Sequence, residues 1–533
     1  MNGGDLSLTW QYVDKWAKDN PEGEATVFHG TRLTWTQFRD EVDKAAKALI
    51  ECGVNRGDRV AFLAMAQPEF LITFMAANKV GAMWLGLSPK FTSDELAYIV
   101  GDARPAALIT LHDYRGHDLN STIHALDLAS EFKVILLLGD SPVLDLNCRA
   151  PVFAYNSYVN HDRSNLDESL RDRVKQAKPD DNALLMYTSG STGKPKGVVH
   201  THASIIANIA AQTRHFMMEE TTRSLIHFPI NHVAADVELG FGSIFGGGTA
   251  VMMDAFDPVE TLEIVERERI TMFGQVPAMF FLEMTTPKWR EMDWSSVKAF
   301  LWGGASAPKE LLTVLDGIAR KHGALLMTGY GSTEVGGFVT YSEPDDSLET
   351  LVSGAGRCAP EFELRIVDEN RQPVSTGVVG EIAVRGPLLM KEYLNNPEAT
   401  AKVLDDQSWY YTNDLARLDE AGNLHITGRK SEMYKSGGEN VFPREVEAVI
   451  EAMPEVLMAA VIGVPDPLFQ EVGHAFVMPH PGKSVDEEAL RLHCREHLAN
   501  FKVPKHFDVK PSLPLLATGK INKVALKQMY IGE

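Results

Sequence analysis

Cysteine is scarce in these 533 residues: Cys52, Cys148, Cys358 and Cys494 are the only four, far apart and in no Cys-x-x-Cys pair. Such spacing supplies neither a disulfide framework nor a thiolate zinc site, and a reducing compartment is expected. Positive charge is also in deficit. Lys plus Arg number 51 against 72 Asp plus Glu, a formal net charge of −21, which opposes any general attraction to nucleic acid or anionic lipid. Long apolar runs are missing: the stretch 70–87 is broken by Asn78 and Lys79, short of the roughly 18 residues of a membrane span. The N-terminal segment has no basic start or apolar run of a secretory signal, and the last residues, Ile531-Gly532-Glu533, form no targeting tripeptide. The expectation is a cytoplasmic protein with no membrane span and no nucleic acid partner. Repeats and low-complexity tracts are absent too.

What is present is an ordinary globular composition, 44% hydrophobic and 23% charged, over a length that implies several cores. Phe38, Val42, Ala45, Ala46, Leu49 and Ile50 recur at helical spacing within 33–54, with Thr36 placed as the cap. Short apolar runs at 58–64, 106–111 and 134–139 read as buried strands, and 69–81 as a helix. A second strand series runs through Leu184, Val251, Met272 and Leu301 to 325–328, with a helix over 258–269. Alternation of strand and helix predicts layered α/β sheets. From about 350 to 428, short strands at 363–368 and 380–385 between turns predict a small β-rich subdomain. After Arg429 a new α+β unit begins, with helices near 443–453 and 486–500 and a strand near 458–463. The fold class is therefore a multidomain α/β and α+β chain: a large N-terminal domain over 1–428 and a C-terminal α+β domain over 429–533.

The strongest local signal is Thr188-Ser189-Gly190-Ser191-Thr192-Gly193-Lys194-Pro195-Lys196-Gly197, which ends the buried strand 183–186 and precedes a helix-like run. Glycines let backbone amides approach a ligand, the hydroxyls donate and the lysines add charge, so the loop suits phosphate oxygens. The glycine spacing and Pro195 exclude a Walker loop. Gly329-Tyr330-Gly331-Ser332-Thr333-Glu334 follows another strand, offering an aromatic face, hydroxyls and a carboxylate for a hard cation such as Mg2+. Gly303-Gly304-Ala305-Ser306 is a small-residue turn past which a planar ring can slide. Three such loops at successive strand ends predict a nucleotide pocket.

With these motifs, and with WYYTNDLARLDEAGNLHITGRK at 409–430 and LLATGKINK near the end, the chain resembles the adenylate-forming superfamily of acyl-CoA synthetases, adenylation domains and firefly luciferase. The resemblance covers essentially the whole length and implies a mobile C-terminal domain and a two-step reaction. A carboxylate and Mg-ATP give an acyl-adenylate and pyrophosphate; a thiol, coenzyme A in the synthetases, then displaces AMP. By position it implies that 188–197 hold the β- and γ-phosphates, that Gly304, Ala305, Ser306 and Tyr330 enclose adenine, and that Gly331 and Ser332 complete that loop. Thr333 and Glu334 would hold phosphate and magnesium, Asp414 the ribose hydroxyls, and Arg429 the ribose and phosphate at the hinge Lys430-Ser431. Lys520 would bridge the carboxylate and α-phosphate. Asn413 stands where the family has Gly; Asn tolerates a left-handed backbone, so the loop is expected to survive. Lys435, Ser436, Gly437 and Gly438 would line a pantetheine tunnel. Six lysines against one acid between 501 and 530 predict a basic surface for ATP and coenzyme A.

The acyl pocket is assigned to 229–238, including His232 as a gate, Val233, Asp236 and Val237, together with Trp302, Val335 and Phe338. No Arg occurs in these segments, which disfavours a dicarboxylate, and Ala234 stands where amino-acid-activating relatives carry Asp. The expected substrate is an apolar fatty, alicyclic, aromatic or steroid-type carboxylic acid; Asp236 is expected to be a helix cap, with contact to a polar substituent as the alternative. Two alternatives stay open: an adenylation unit that loads a carrier protein, and an acyltransferase using His232 and Asp236 as His-x-x-x-Asp. A homodimer is an open assembly.

Overall fold

The computed structural model describes residues 6–139, 146–188, 194–516 and 521–532. Two sheets form the N-terminal part. In the first, Arg59–Leu63, Met83–Leu87, Ala107–Thr110, Val134–Leu137, Val152–Ala154 and Asn182–Thr188 run parallel; Lys196–Thr201 pairs antiparallel with the last of these, and Glu392–Tyr393 closes the edge. In the second, Arg223–Ile226, Thr249–Met252, Met272–Gln275, Ala299–Trp302 and Leu325–Thr328 are parallel, and Glu24–Phe28 joins beside Thr249–Met252.

The strands alternate between cores with a period of two, as pleating requires. Ala299 and Leu301 face the inner core shared by both sheets, whereas Phe300 and Trp302 face the outer one. The inner core takes Phe62, Trp84 and Met186 from the first sheet, Ile226 and Met327 from the second, and Phe70, Phe74, Ile205 and Ile209 from helices Pro68–Lys79 and His202–His215. The helix Trp35–Glu51 also lies there. Its cap is Thr34 rather than Thr36: Thr34 and Gln37 close a reciprocal capping box, which holds the first turn by about 1 kcal/mol.

Two further expectations change. The strand Asn182–Thr188 belongs to the first sheet and not to the later series, because hydrophobic pattern marks a strand but not its partner. The phosphate loop is followed by a strand, Lys196–Thr201, and only then by a helix, so it joins a hairpin; the helix begins at a second capping box, Thr201 with Ser204.

The β-rich part is the antiparallel sheet Glu363–Val367, Gly380–Arg385, Tyr410–Leu418 and Leu424–Arg429. Beyond it, Val456–Asp466 pairs with Gln470–Pro479, flanked by Tyr434–Ser436, Glu439–Val441 and His506–Val509, with helices Pro443–Glu451 and Glu487–His497. This part has its own cores, around Val461 and Ala475 on one face and Ile462 and Phe476 on the other. Among the described residues no helix is long and apolar enough to cross a membrane.

Candidate active site

Residues 189–193 of the phosphate loop and Lys520 lie outside the described residues. The frame around the loop is described. Thr188 and Lys196 are the last paired residues of the hairpin. The Lys194 ammonium lies 5.3 Å from the Tyr98 ring and that of Lys196 4.6 Å from the Tyr393 ring, so both cations rest on aromatic faces. The Tyr187 hydroxyl donates to Asp102 at 2.6 Å and pins the strand end.

Two bonds tie this hairpin to the Thr333-Glu334 segment. His200 presents Nε2 to the Thr333 carbonyl at 2.7 Å and Nδ1 to the Ser204 hydroxyl at 3.1 Å. Burial pushes its pKa down to about 4, so the ring is neutral, and since a carbonyl only accepts, the proton sits on Nε2. Tyr393, on the strand that pairs with Val198 and Val199, donates its hydroxyl to Glu334 Oε1 at 2.9 Å. Neither His200 nor Tyr393 is visible in the linear motifs; only sheet pairing brings them to the loop. Among the described residues no hydrogen bond takes the second Glu334 oxygen, and a carboxylate oxygen is the kind of ligand a hard cation such as magnesium takes.

At the end of Leu325–Thr328, Tyr330 is buried and donates to Asp414 Oδ2 at 2.7 Å. Burial first, then the Asp414 charge, holds the phenol well above its ordinary pKa, so it stays a donor. Asp414 Oδ1 meets Arg429 Nε at 3.0 Å, and the Asp414 charge raises the Arg429 pKa further. The contact follows from register: Asp414 and Arg429 face each other across neighbouring strands. Asn413 has φ 65°, the left-handed conformation expected of it, and its carbonyl accepts from the Lys430 backbone at 3.0 Å. Gly331 has a packing reason as well: a Cβ there would sit 1.9 Å from the Gly337 carbonyl oxygen.

The acyl-side residues divide. The Asn208 amide donates to the carbonyls of Val335 and Phe338 at 3.0 and 2.8 Å, and the Phe338 ring covers Gly303 and Gly329. Val233, Val237, Val335 and Phe338 share the inner core. Trp302 does not join them; alternation along its strand turns it into the outer core with Phe273 and Phe280. Asp236 is not a helix cap. It lies inside the π-helix Ala234–Phe241, fully buried, with neither carboxyl oxygen hydrogen-bonded among the described residues, and burial raises its pKa well above the carboxylate range. A carboxyl in that state orients no imidazole, which removes the His-x-x-x-Asp reading; His232 Nδ1 accepts instead from the Ala234 amide at 3.2 Å.

In the C-terminal part, Gly437 and Gly438 have φ 60° and 90° and form the two-residue turn between Ser436 and Glu439. A hairpin with both turn residues left-handed requires glycine or a close substitute, so the pair has a structural reason beside any tunnel. Lys430 and Ser431 lie in the turn before it, with Lys430 3.4 Å from Glu381. The expected basic surface is neutralised in part: Lys502 pairs with Glu445, Lys510 with Asp508, and Lys523 with Glu432 and Glu447. Those acids come mostly from other elements, which a local count of charge misses.

Residues 13–394 match the family model "AMP-binding enzyme" and residues 445–520 the model "AMP-binding enzyme C-terminal domain". The chain is 34% identical over 517 residues to a feruloyl-CoA synthase of Amycolatopsis, covering 96% of this chain and 97% of that one. It is 32% identical over 529 residues to a methyl-dioxo-octahydroindenyl-propanoyl:CoA ligase of Mycobacterium tuberculosis, covering 98% and 99%. The solved amide bond synthetase McbA from Marinactinospora thermotolerans superposes with a TM-score of 0.84 at 29% identity, over 98% of this chain and 99% of that one. A family match over most of the length, on a site built from that family's motifs, shows that the chain belongs to the AMP-binding enzymes and is an AMP-forming ligase.

Proposed function

We propose that the protein is an acyl-CoA synthetase: it joins a bulky, mainly apolar carboxylic acid to coenzyme A through an acyl-adenylate, with ATP consumed to AMP and pyrophosphate. The observation that carries this is the cluster Tyr330–Asp414–Arg429 set beside a phosphate hairpin tied to Thr333 and Glu334. Asp414 accepts the ribose hydroxyls, Tyr330 forms one wall for adenine with Gly304 to Ser306, and Thr188 to Lys196 hold the phosphate tail. Thr333 and Glu334 would hold magnesium, which supplies charge neutralisation on the phosphates. Lys520 places an ammonium where the acyl carboxylate meets the α-phosphate, stabilising charge that builds in the transition state by about 3 kcal/mol or more.

The acyl group lies against Val233, Val237, Val335 and Phe338, with His232 at the thiol entrance. Two relatives named for CoA thioesters of ring-bearing acids support a bulky substrate and a CoA acceptor. Residues 429–533 act as the mobile domain that turns about Lys430-Ser431 and brings Lys435 to Gly438 to the thiol arm. A panel of aromatic, alicyclic and long-chain carboxylates, followed by ATP-dependent pyrophosphate release with free CoA, with a phosphopantetheine carrier protein or with an amine, tests the reading. Thioester formation with CoA is expected; release of pyrophosphate that yields product only with a carrier or an amine overturns the CoA assignment.

A further inference from the structure

The nucleotide loops leave the C-terminal ends of the second sheet, after Trp302 and Thr328. The opposite edge of that sheet carries a cavity of about 500 Å³. Its walls come from strand beginnings: Arg223 opens Arg223–Ile226, Lys298 precedes Ala299–Trp302, and Glu24 opens Glu24–Phe28. Arg32, Arg267 and Arg269 bring the cations to five, against the carboxylates of Glu24 and Glu268, with three hydroxyl side chains between them.

The two acids are already shared. Arg32 lies 3.0 Å from Glu24 and 2.7 Å from Glu268; Arg223 lies 2.8 Å from Glu24 and 3.4 Å from Glu268; Arg267 is 3.4 Å from Glu268. Glu268, only 6% exposed, is the buried pivot of this ring. Arg269 and Lys298 are exposed, and among the described residues neither side chain enters a hydrogen bond or ion pair. The Arg269 charge also acts on Asp293, whose carboxylate accepts from the backbone and hydroxyl of Ser295, both at 2.9 Å. Five cations against two acids leave three positive charges, or two with Asp293 counted, on a chain whose total is −21.

We propose that this cavity binds a di- or polyphosphate anion, at a site separate from the catalytic one. Guanidinium forks match phosphate oxygens in geometry, and the volume lies within the roughly 300–1,000 Å³ of ligand sites, more than a single phosphate fills. Arg269 and Lys298, exposed at the same place, can turn to an anion without breaking the Arg–Glu ring.

The test is isothermal titration of the full-length protein with inorganic pyrophosphate, and in parallel arms with ATP and with coenzyme A, at low and physiological salt. Wild type is expected to show two binding events in at least one arm. The doubly reversed variant Arg269→Glu/Lys298→Glu, which breaks no ion pair described, keeps the catalytic event and weakens the other at least tenfold; the arm with the tightest second event names the source of the phosphates. If that variant melts early, Arg269→Gln/Lys298→Gln is read in the same way. A single event in every arm, or a second event unchanged in both variants, overturns the proposal and leaves a structural Arg–Glu clamp only.

Discussion

Asp236→Asn isolates the energetics of the buried carboxyl beside the acyl segment. Asp236 has no exposed surface and, among the described residues, no hydrogen-bond partner, and burial raises its pKa well above the ordinary value near 4. Between those two values the folded protein keeps a proton that the unfolded chain has lost. Wild-type stability is therefore whole below about pH 4 and falls by about 1.4 kcal/mol per pH unit above it, until the raised folded pKa is reached. Asn has the same shape and does not titrate. Above pH 5, wild type should therefore lose stability relative to the variant as pH rises, until the folded carboxyl itself ionises. Glu283, also buried with a raised pKa, is common to both proteins and cancels in the difference. Urea unfolding of the two proteins at pH 5, 6 and 7 reads the effect, in the transition that includes the N-terminal domain. Parallel pH dependences would refute the reasoning, since they would mean that the carboxyl is ionised and solvated inside the fold.

Asp414→Asn removes a charged acceptor, worth about 1.5–3 kcal/mol, from the proposed ribose contact, so KM for ATP should rise roughly 10- to 100-fold. The preference for ATP over 2′-deoxy-ATP in pyrophosphate release should shrink with it; an unchanged preference would remove Asp414 from the ribose. Lys520→Ala should abolish adenylate formation while sparing thioester formation from a preformed acyl-adenylate, and equal loss of both halves would contradict the division of labour between domain orientations. Gly438→Asn keeps the left-handed turn and adds a Cβ that would meet nothing within 4 Å among the described residues beyond its chain neighbours. It should slow the thioester half-reaction about tenfold with adenylation intact, and a thioester step at wild-type rate would remove the turn from the thiol's path.

Strands with clean local signals were legible as they stand: Leu325–Thr328 and Gly380–Arg385 have the predicted bounds because each is a short buried run between turn residues. Asn413 was legible because its conformation depends on its own side chain. Partnership was not. Tyr393 reaches Glu334 across 59 positions of sequence, and His200 reaches Thr333 across 133, through sheet pairing that no local pattern encodes. Trp302 was placed on the wrong face because a four-residue strand shows that its sides alternate without showing which side meets which core. Of the C-terminal lysines, Lys502 and Lys523 are drawn into pairs with Glu432, Glu445 and Glu447, acids that lie outside the segment counted.

The same dependence on pairing gives the hinge a consequence for the nucleotide site. Arg429 is the last residue of Leu424–Arg429, and the turn at Lys430 starts directly after it, anchored by the bond from the Lys430 amide to the Asn413 carbonyl. Arg429 is also the cation on Asp414 Oδ1, while Tyr330 occupies Oδ2. A carboxylate oxygen accepts more than one hydrogen bond, so the ribose can be received without breaking either contact. In the proposed cycle, rotation of the C-terminal domain about Lys430-Ser431 pulls on the residue next to the ribose partner. Orientation and nucleotide contact are then linked through one strand end, and weakening the Asp414–Arg429 pair should alter how the two half-reactions alternate as well as how tightly ATP binds.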